Sequence, residues 1–422
     1  MARPRTFDEG EVLDRAMDVF CRHGYEGTTM TELTTAMGLT APSVYAAFGS
    51  KRGLFEAVLD RYTDGQREHR AWVLAAPTAR EVTERLLFRA ADQLPNMGGP
   101  PGCLLVQGGL ATGADNADIP LALARRRQAN ELTLRDRFEQ ARASGDLPPT
   151  ADPATLASFV TTVFDGLSVR AAGDATVEEL RRVVEQAMAS WQARTIAPEA
   201  APIAPSTAIS SCLPSTPHRG RPREFSETDA LGAALEVFWR QGYEGASLTD
   251  LTEAMGITRP SLYATFGNKE SLFLKALDRY HRENMAYVAQ ALEAPTARAV
   301  VAQMMAGEIS AQVAGLPQGC LVVINALHGG DEAKTIRAEV LARTAAAHAL
   351  LVARFERARD EGDLPATANA EGLARLLESV TQGIAIQGAA GASEQELHAL
   401  ASSVLAIWPT TERALSIDIE SA

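Results

Sequence analysis

Two ten-residue stretches, PSVYAAFGSK (Pro42 to Lys51) and PSLYATFGNK (Pro260 to Lys269), each set a phenol a few residues ahead of an ammonium. Tyr45 with Lys51, and Tyr263 with Lys269, are donors suited to phosphate oxygens. The alternative reading makes the tyrosines packing residues and the lysines solvated charges. Just upstream, Thr40-Ala41-Pro42-Ser43 becomes Thr258-Arg259-Pro260-Ser261 in the second stretch. An arginine can grip guanine O6 and N7 with two hydrogen bonds, and an alanine cannot. Two unequal recognition surfaces are therefore expected, unless Arg259 touches only phosphate. Farther upstream lie the arginine arms Arg3-Pro-Arg5 and Arg219-Gly-Arg221-Pro-Arg223. Such arms can enter a narrow minor groove and gain from its negative potential.

The elements that must position these groups read as helices throughout. Leu13, Ala16, Met17 and Phe20 fall on one helical stripe, and Leu231, Ala234, Leu235 and Phe238 repeat it. Thr29-x-x-Glu32 and Ser247-x-x-Asp250 have the form of reciprocal N-terminal caps, each opening a short helix that stops at Gly38 or Gly256. A second short helix is expected over about 41–47 and 259–265, with proline in its first turn, where the missing N–H costs nothing. Short helix, glycine turn and short helix make a helix-turn-helix, whose second helix can lie in a DNA major groove. Phe48 and Phe266 are read as core residues rather than contacts. A long helix is expected from about Lys51 to Ala75, with later ones near 78–94, 103–112, 118–144, 153–172 and 176–194. That makes about nine helices per copy and an all-α fold with no convincing strand.

The copying extends through the whole chain. HGYEG returns as QGYEG, APTAR recurs, and GCL and GDLP recur near the middle of each copy. The period is about one domain of 200 residues, far longer than a solenoid unit. A stretch rich in Pro, Ala, Ser and Thr, 195–218, separates the copies and reads as a linker. The expected division is 1–50 and 219–268 as helix-turn-helix domains, 51–194 and 269–408 as helical regulatory and dimerisation domains, and 409–422 as a flexible tail. With 46% apolar residues each copy has ample core material. The N-terminus lacks an apolar leader and no run approaches a membrane span, so a cytoplasmic location is expected. Four cysteines show neither CxxC spacing nor disulfide density, and the seven histidines do not cluster with carboxylates at metal spacing. No metal or cofactor is expected. Net charge is −13, which argues against a nucleic-acid partner and leaves the case to the local motifs.

Those motifs carry a family resemblance. The ordered set of Phe, Gly-Tyr, capped helix, Met-Gly and Tyr-x-x-Phe-x-x-Lys resembles the DNA-binding domain of the tetracycline-repressor (TetR) family, over about 55 residues in each copy. The resemblance implies that Tyr45, Lys51, Tyr263 and Lys269 grip backbone phosphates of a double-stranded operator. It also implies that Thr29, Ser247 and the recognition-helix residues line the interface. RGRP in the second arm is similar to an AT-hook core, against the plainer reading of a flexible basic arm.

Family members are homodimers joined by their last two helices. Here those helices, about 153–172 with 176–194 and 370–388 with 393–408, imply a pseudo-dimer within one chain. Pairing between chains is the competing arrangement. The central helices correspond to the region where the family binds a small-molecule inducer that lowers DNA affinity. Polar candidates for that pocket are Gln107 and Asp165 in copy one and Asn325, His328 and Gln382 in copy two. Asp165 aligns with Gln382, so at most one pocket is expected to work. Cys103 and Cys320, each at a helix start, are candidates for a lowered-pKa redox or electrophile sensor, or are simply small buried hydrophobes. An inducer-free architectural DNA-binding protein is the remaining alternative. Signatures of an enzyme (phosphate loop, HExxH, nucleophile elbow) are missing from the sequence.

Overall fold

The computed structural model describes residues 8–96, 99–110, 116, 118–189, 191, 226–313, 319–327, 333–406 and 408–409. The arginines of both arms (Arg3, Arg5, Arg221 and Arg223), the linker and His328 lie outside the described residues. Among those described, every regular element is helical.

Copy one opens with a three-helix head: α1 (Glu9–Gly27), α2 (Met30–Met37) and α3 (Ala41–Phe48). Phe20 and Phe55 are fully buried, with ring centroids 4.8 Å apart in an edge arrangement, and Tyr25 lies 5.1 Å from Phe55. Phe238, Phe273 and Tyr243 repeat this cluster at 5.1 and 5.4 Å. Each fully buried phenylalanine contributes about 1.5–3 kcal/mol by the area it removes from water. Both expected capping boxes form, and α2 ends at Gly38 with φ 66°, a left-handed turn that glycine adopts without steric cost.

The expected long helix after Lys51 is two helices, α4 (Lys51–Gly65) and α5 (Arg67–Leu74), so the described residues of each copy form ten helices rather than nine. The chain breaks at Gln66 (φ −89°, ψ −3°), and copy two breaks at the equivalent place, after Glu283, without a glycine. There follow α6 (Ala79–Gln93), the four-residue α7 (Leu104–Gln107), α8 (Asp118–Ala143), α9 (Pro153–Ala172) and α10 (Val177–Ala189). Copy two repeats the order as α11 (Glu227–Gly245), α12 (Leu248–Met255), α13 (Arg259–Phe266), α14 (Lys269–Glu283), α15 (Ala286–Leu292), α16 (Ala297–Val313), α17 (Leu321–Leu327), α18 (Lys334–Asp360), α19 (Ala370–Ala389) and α20 (Glu394–Ala406).

The two copies pair through α9 and α19, flanked by α10 and α20, as the expected four-helix bundle. Gly166 and Gly383 are equivalent residues at its centre. A Cβ at Gly166 would collide with the carbonyl oxygen of Ser379, and one at Gly383 with that of Thr162. Each helix thus presses its backbone into the glycine of the other, a self-complementary contact of two-fold type. Polar pairs cross the seam beside it: Arg170 to Glu378 at 2.8 Å, Arg375 to Glu179 at 2.9 Å and Arg337 to Asp174 at 2.7 Å. The halves are not packed alike. The hydrophobic core of the first head runs without a break into the bundle, whereas the second head forms a separate core with Leu321, Ile324, Ile336 and Val340.

Candidate nucleic-acid interface and regulatory cavity

The second helix of each head is pinned by one residue and displays the next. Val44 and Leu262 are fully buried, while Tyr45 and Tyr263 are 48% and 49% exposed. A large aromatic left half in water on a packed helix is available to a partner. Phe48 and Phe266 pack into their heads, as expected. Thr40 and Ser43 face one another with hydroxyl oxygens 2.9 Å apart, and Thr258 and Ser261 do the same. The Arg259 guanidinium reaches across the turn and donates to Thr249 Oγ1 at 2.9 Å, a tether that Ala41 lacks. The hydroxyls of Thr29 and Ser247 accept from the backbone N–H of Glu32 and Asp250 at 3.2 and 3.1 Å, so both are engaged in holding the helix start.

Lys51 and Lys269 have a structural reason for their place that sequence reading missed. Each ammonium sits 4.5 Å from the ring centroid of the Tyr in the preceding Gly-Tyr turn, Tyr25 or Tyr243. This cation–π contact fixes the head of the side chain near the end of the recognition helix. Burial lowers the Lys51 pKa, with Glu26 and Glu32 acting in the opposite sense.

Two of the ligand candidates, Gln107 and Asn325, bond to the heads. Gln107 Nε2 donates to the Cys21 carbonyl at 3.3 Å, and the Gly108 carbonyl accepts from Tyr25 N–H at 2.8 Å. In copy two, Asn325 Oδ1 accepts from Tyr243 N–H at 2.8 Å, and Trp239 Nε1 donates to the Gly319 carbonyl at 2.9 Å. A buried polar side chain on an apolar helix was correctly noticed, but its partner is backbone. Gln382, a candidate for copy two, has a buried Oε1 with no hydrogen-bond partner among the described residues, and it does not line the copy-one cavity described below.

The family profile described as "Bacterial regulatory proteins, tetR family" matches residues 12–58 and again 230–276. The HTH-type transcriptional repressor ComR of Escherichia coli K12 is 35% identical over 191 residues, 45% of this chain and 91% of that protein. The chain belongs to the TetR family. The HTH-type transcriptional repressor BdcR of the same strain is 31% identical over 199 residues, covering 47% of this chain and 94% of the relative. A solved structure of the TetR family regulator CifR, a cysteine mutant complexed with a 26-bp operator DNA, is 40% identical. It covers 45% of this chain and all of that one, with a TM-score of 0.44. Each relative thus matches about half of this chain, which carries the TetR DNA-binding unit twice. It is a DNA-binding transcriptional regulator, not an enzyme.

In this TetR chain a cavity of about 790 Å³ lies in copy one, between α4, α5, α6, α8 and α9, and is closed on one side by residues of α19 and α20. Asp165 lines it, as expected, and burial pushes its carboxyl up to about 7, against the pull of Arg127. Arg127, in the Arg-Arg-Arg run 125–127, was not singled out from sequence because such a run reads as a solvated face. It lines the cavity and donates to the Leu105 carbonyl. Cys103 also lines it, taking a hydrogen bond from Tyr62 Oη at 3.2 Å. Of the two readings of Cys103 and Cys320, the small buried hydrophobe fits better: burial pushes both thiols up, because a thiolate loses its solvation. Among the described residues, no helix is long and apolar enough to cross a membrane.

Proposed function

We propose that the chain acts alone as a pseudo-dimeric repressor whose two heads read two non-identical operator half-sites, and that a small-molecule inducer releases it. The observation carrying this reading is the Gly166–Gly383 seam, which pairs the two units inside one chain. In this reading Tyr45, Lys51, Tyr263 and Lys269 hold backbone phosphates, and Thr40 to Ser43 and Thr258 to Ser261 face base edges. Arg259 leaves Thr249 to contact a guanine in one half-site only. Arg3, Arg5, Arg221 and Arg223 extend into flanking minor grooves. Fusion makes pairing intramolecular, at an effective concentration near millimolar. Selection of randomised duplexes by the purified chain, with its solution mass measured in the same buffer, tests this. One chain per duplex on two different half-sites about a helical turn or slightly more apart agrees with the reading. Two chains on a symmetric palindrome refute it.

A further inference from the structure

We propose that the chain takes a single ligand, an apolar molecule ending in one carboxylate, in the copy-one cavity with Arg127 as the carboxylate's partner, while the equivalent region of copy two is closed. This rests on the inducer reading above and specifies its site, chemistry and number.

The closure of copy two follows from paired substitutions. His69 and Ala90, which line the copy-one cavity, are replaced by Tyr287 and Glu308. Tyr287 is buried, packs its ring against Gly307 and donates to Glu308 Oε2 at 2.9 Å; Gln312 donates to Glu308 Oε1 at 2.8 Å. Ser158, Thr161 and Glu131, on the cavity wall, are replaced by Arg375, Glu378 and His348. These join in a network: His348 lies 2.9 Å from Glu378, Arg170 2.8 Å from Glu378, and Arg375 2.9 Å from Glu179. What is open wall in one copy is bonded side chain in the other.

The ligand class follows from the charges left inside. Among the described residues, no carboxylate stands within ion-pairing distance (4.0 Å) of Arg127, whose guanidinium has only the Leu105 carbonyl as a hydrogen-bond partner. Asp165 and Glu131 are both driven by burial toward their neutral forms. The half-buried Arg127 charge therefore lacks a close carboxylate partner, and a charge shielded from water is costly until paired. A ligand carboxylate supplies two acceptors for the guanidinium fork, and Asp165, when protonated, can donate a further hydrogen bond. Val73, Leu86, Leu94, Val106 and Phe164 add apolar wall, and Arg70, Arg89, Arg135 and Glu396 also line the cavity.

The response is one-sided as well. Arg127 holds Leu105 in α7, and the Gly108 carbonyl just after α7 takes the Tyr25 N–H of the first head. A carboxylate that draws Arg127 away from Leu105 loosens that docking point, while the Asn325 and Trp239 links of the second head are untouched.

Titration calorimetry on the full chain with decanoate, decanol and decylamine tests the proposal, alongside release of the selected duplex in a gel shift. Expected are one decanoate per chain, binding at least tenfold weaker for the other two probes, and at least tenfold loss on Arg127→Gln with partial rescue by Arg127→Lys. Ala90→Glu, which copies the copy-two plug, is expected to abolish binding, with thermal melting confirming that it folds. Two decanoates per chain, equal binding of decanol or decylamine, indifference to Arg127→Gln or no decanoate binding overturns the proposal. Tight Arg127-dependent binding with no duplex release keeps the site and refutes the inducer reading instead. Release that ignores Arg127 keeps regulation and refutes the site.

Discussion

His23 Nδ1 of the first head lies 3.5 Å from Glu244 Oε2 of the second, joining the two heads where their Gly-Tyr turns meet. Position 241, the equivalent of His23 in copy two, is Gln, so this contact has no mirror image. Donation of the His23 ring N–H to the Glu244 carboxylate raises the His23 pKa, aided by Glu32 and opposed by burial and Arg22. A raised folded pKa means the contact stabilises fully below the unfolded value of about 6.5 and fades as pH climbs through the folded one. The melting temperature of the native chain should exceed that of His23→Gln at pH 6, and the gap should shrink by pH 9. A gap that stays constant with pH would show that the contact does not titrate.

The bundle seam makes a second prediction. Gly383→Leu places a side chain against the Thr162 carbonyl, with no flexible neighbour to yield. Overpacking of this kind costs about 1–3 kcal/mol, more where backbone must move. Chemical denaturation should register the loss, and solution mass should show whether separated halves pair with those of other chains.

Arg259 and the tyrosines separate two kinds of DNA contact. Arg259→Ala is expected to relax base preference in one half-site, by about 1–3 kcal/mol, and to leave folding almost unchanged because the side chain is exposed. Tyr45→Phe and Tyr263→Phe should weaken all sequences alike, and Lys51→Met should lower the salt slope of log K by about 1. Binding curves at several salt concentrations on matched and mismatched duplexes measure these effects together. An Arg259→Ala chain with unaltered base preference would reduce that residue to its tether on Thr249.

Thiol chemistry supplies a fourth test. With Cys103 and Cys320 shielded and their pKa values raised, a Cys212→Ser variant should react slowly with an aromatic disulfide at pH 7.5 and rapidly once denatured. Fast reaction of the folded protein would revive the sensor reading.

Local signals were legible in the sequence where their partners were local. The capping boxes at Thr29 and Ser247 and the glycine stops at Gly38 and Gly256 all lie within a few residues of what they bond. The bundle was legible through the family resemblance, which assigns pairing to the last two helices of each copy. The cavity was not, since it is made by differences: Arg127 and Ser158 come from separate helices, and Glu308 matters only because Ala90 is its counterpart. Gln107 and Asn325 were visible as buried amides on apolar helices, but the backbone of a distant head that each one bonds was not. Lys51 over Tyr25 shows that a charge at a helix start can serve its own fold as well as a partner.

The glycine seam also alters what a single codon change can do. In a symmetric dimer every substitution is made twice, and a tolerable loss at one contact becomes a doubled loss at two. Here Gly166 and Gly383, or Ala90 and Glu308, belong to separate codons, so each change is felt once while its counterpart keeps working. A half that is buffered in this way can accumulate alterations that a homodimer could not survive, and a plugged pocket beside an open one is the kind of record such buffering leaves.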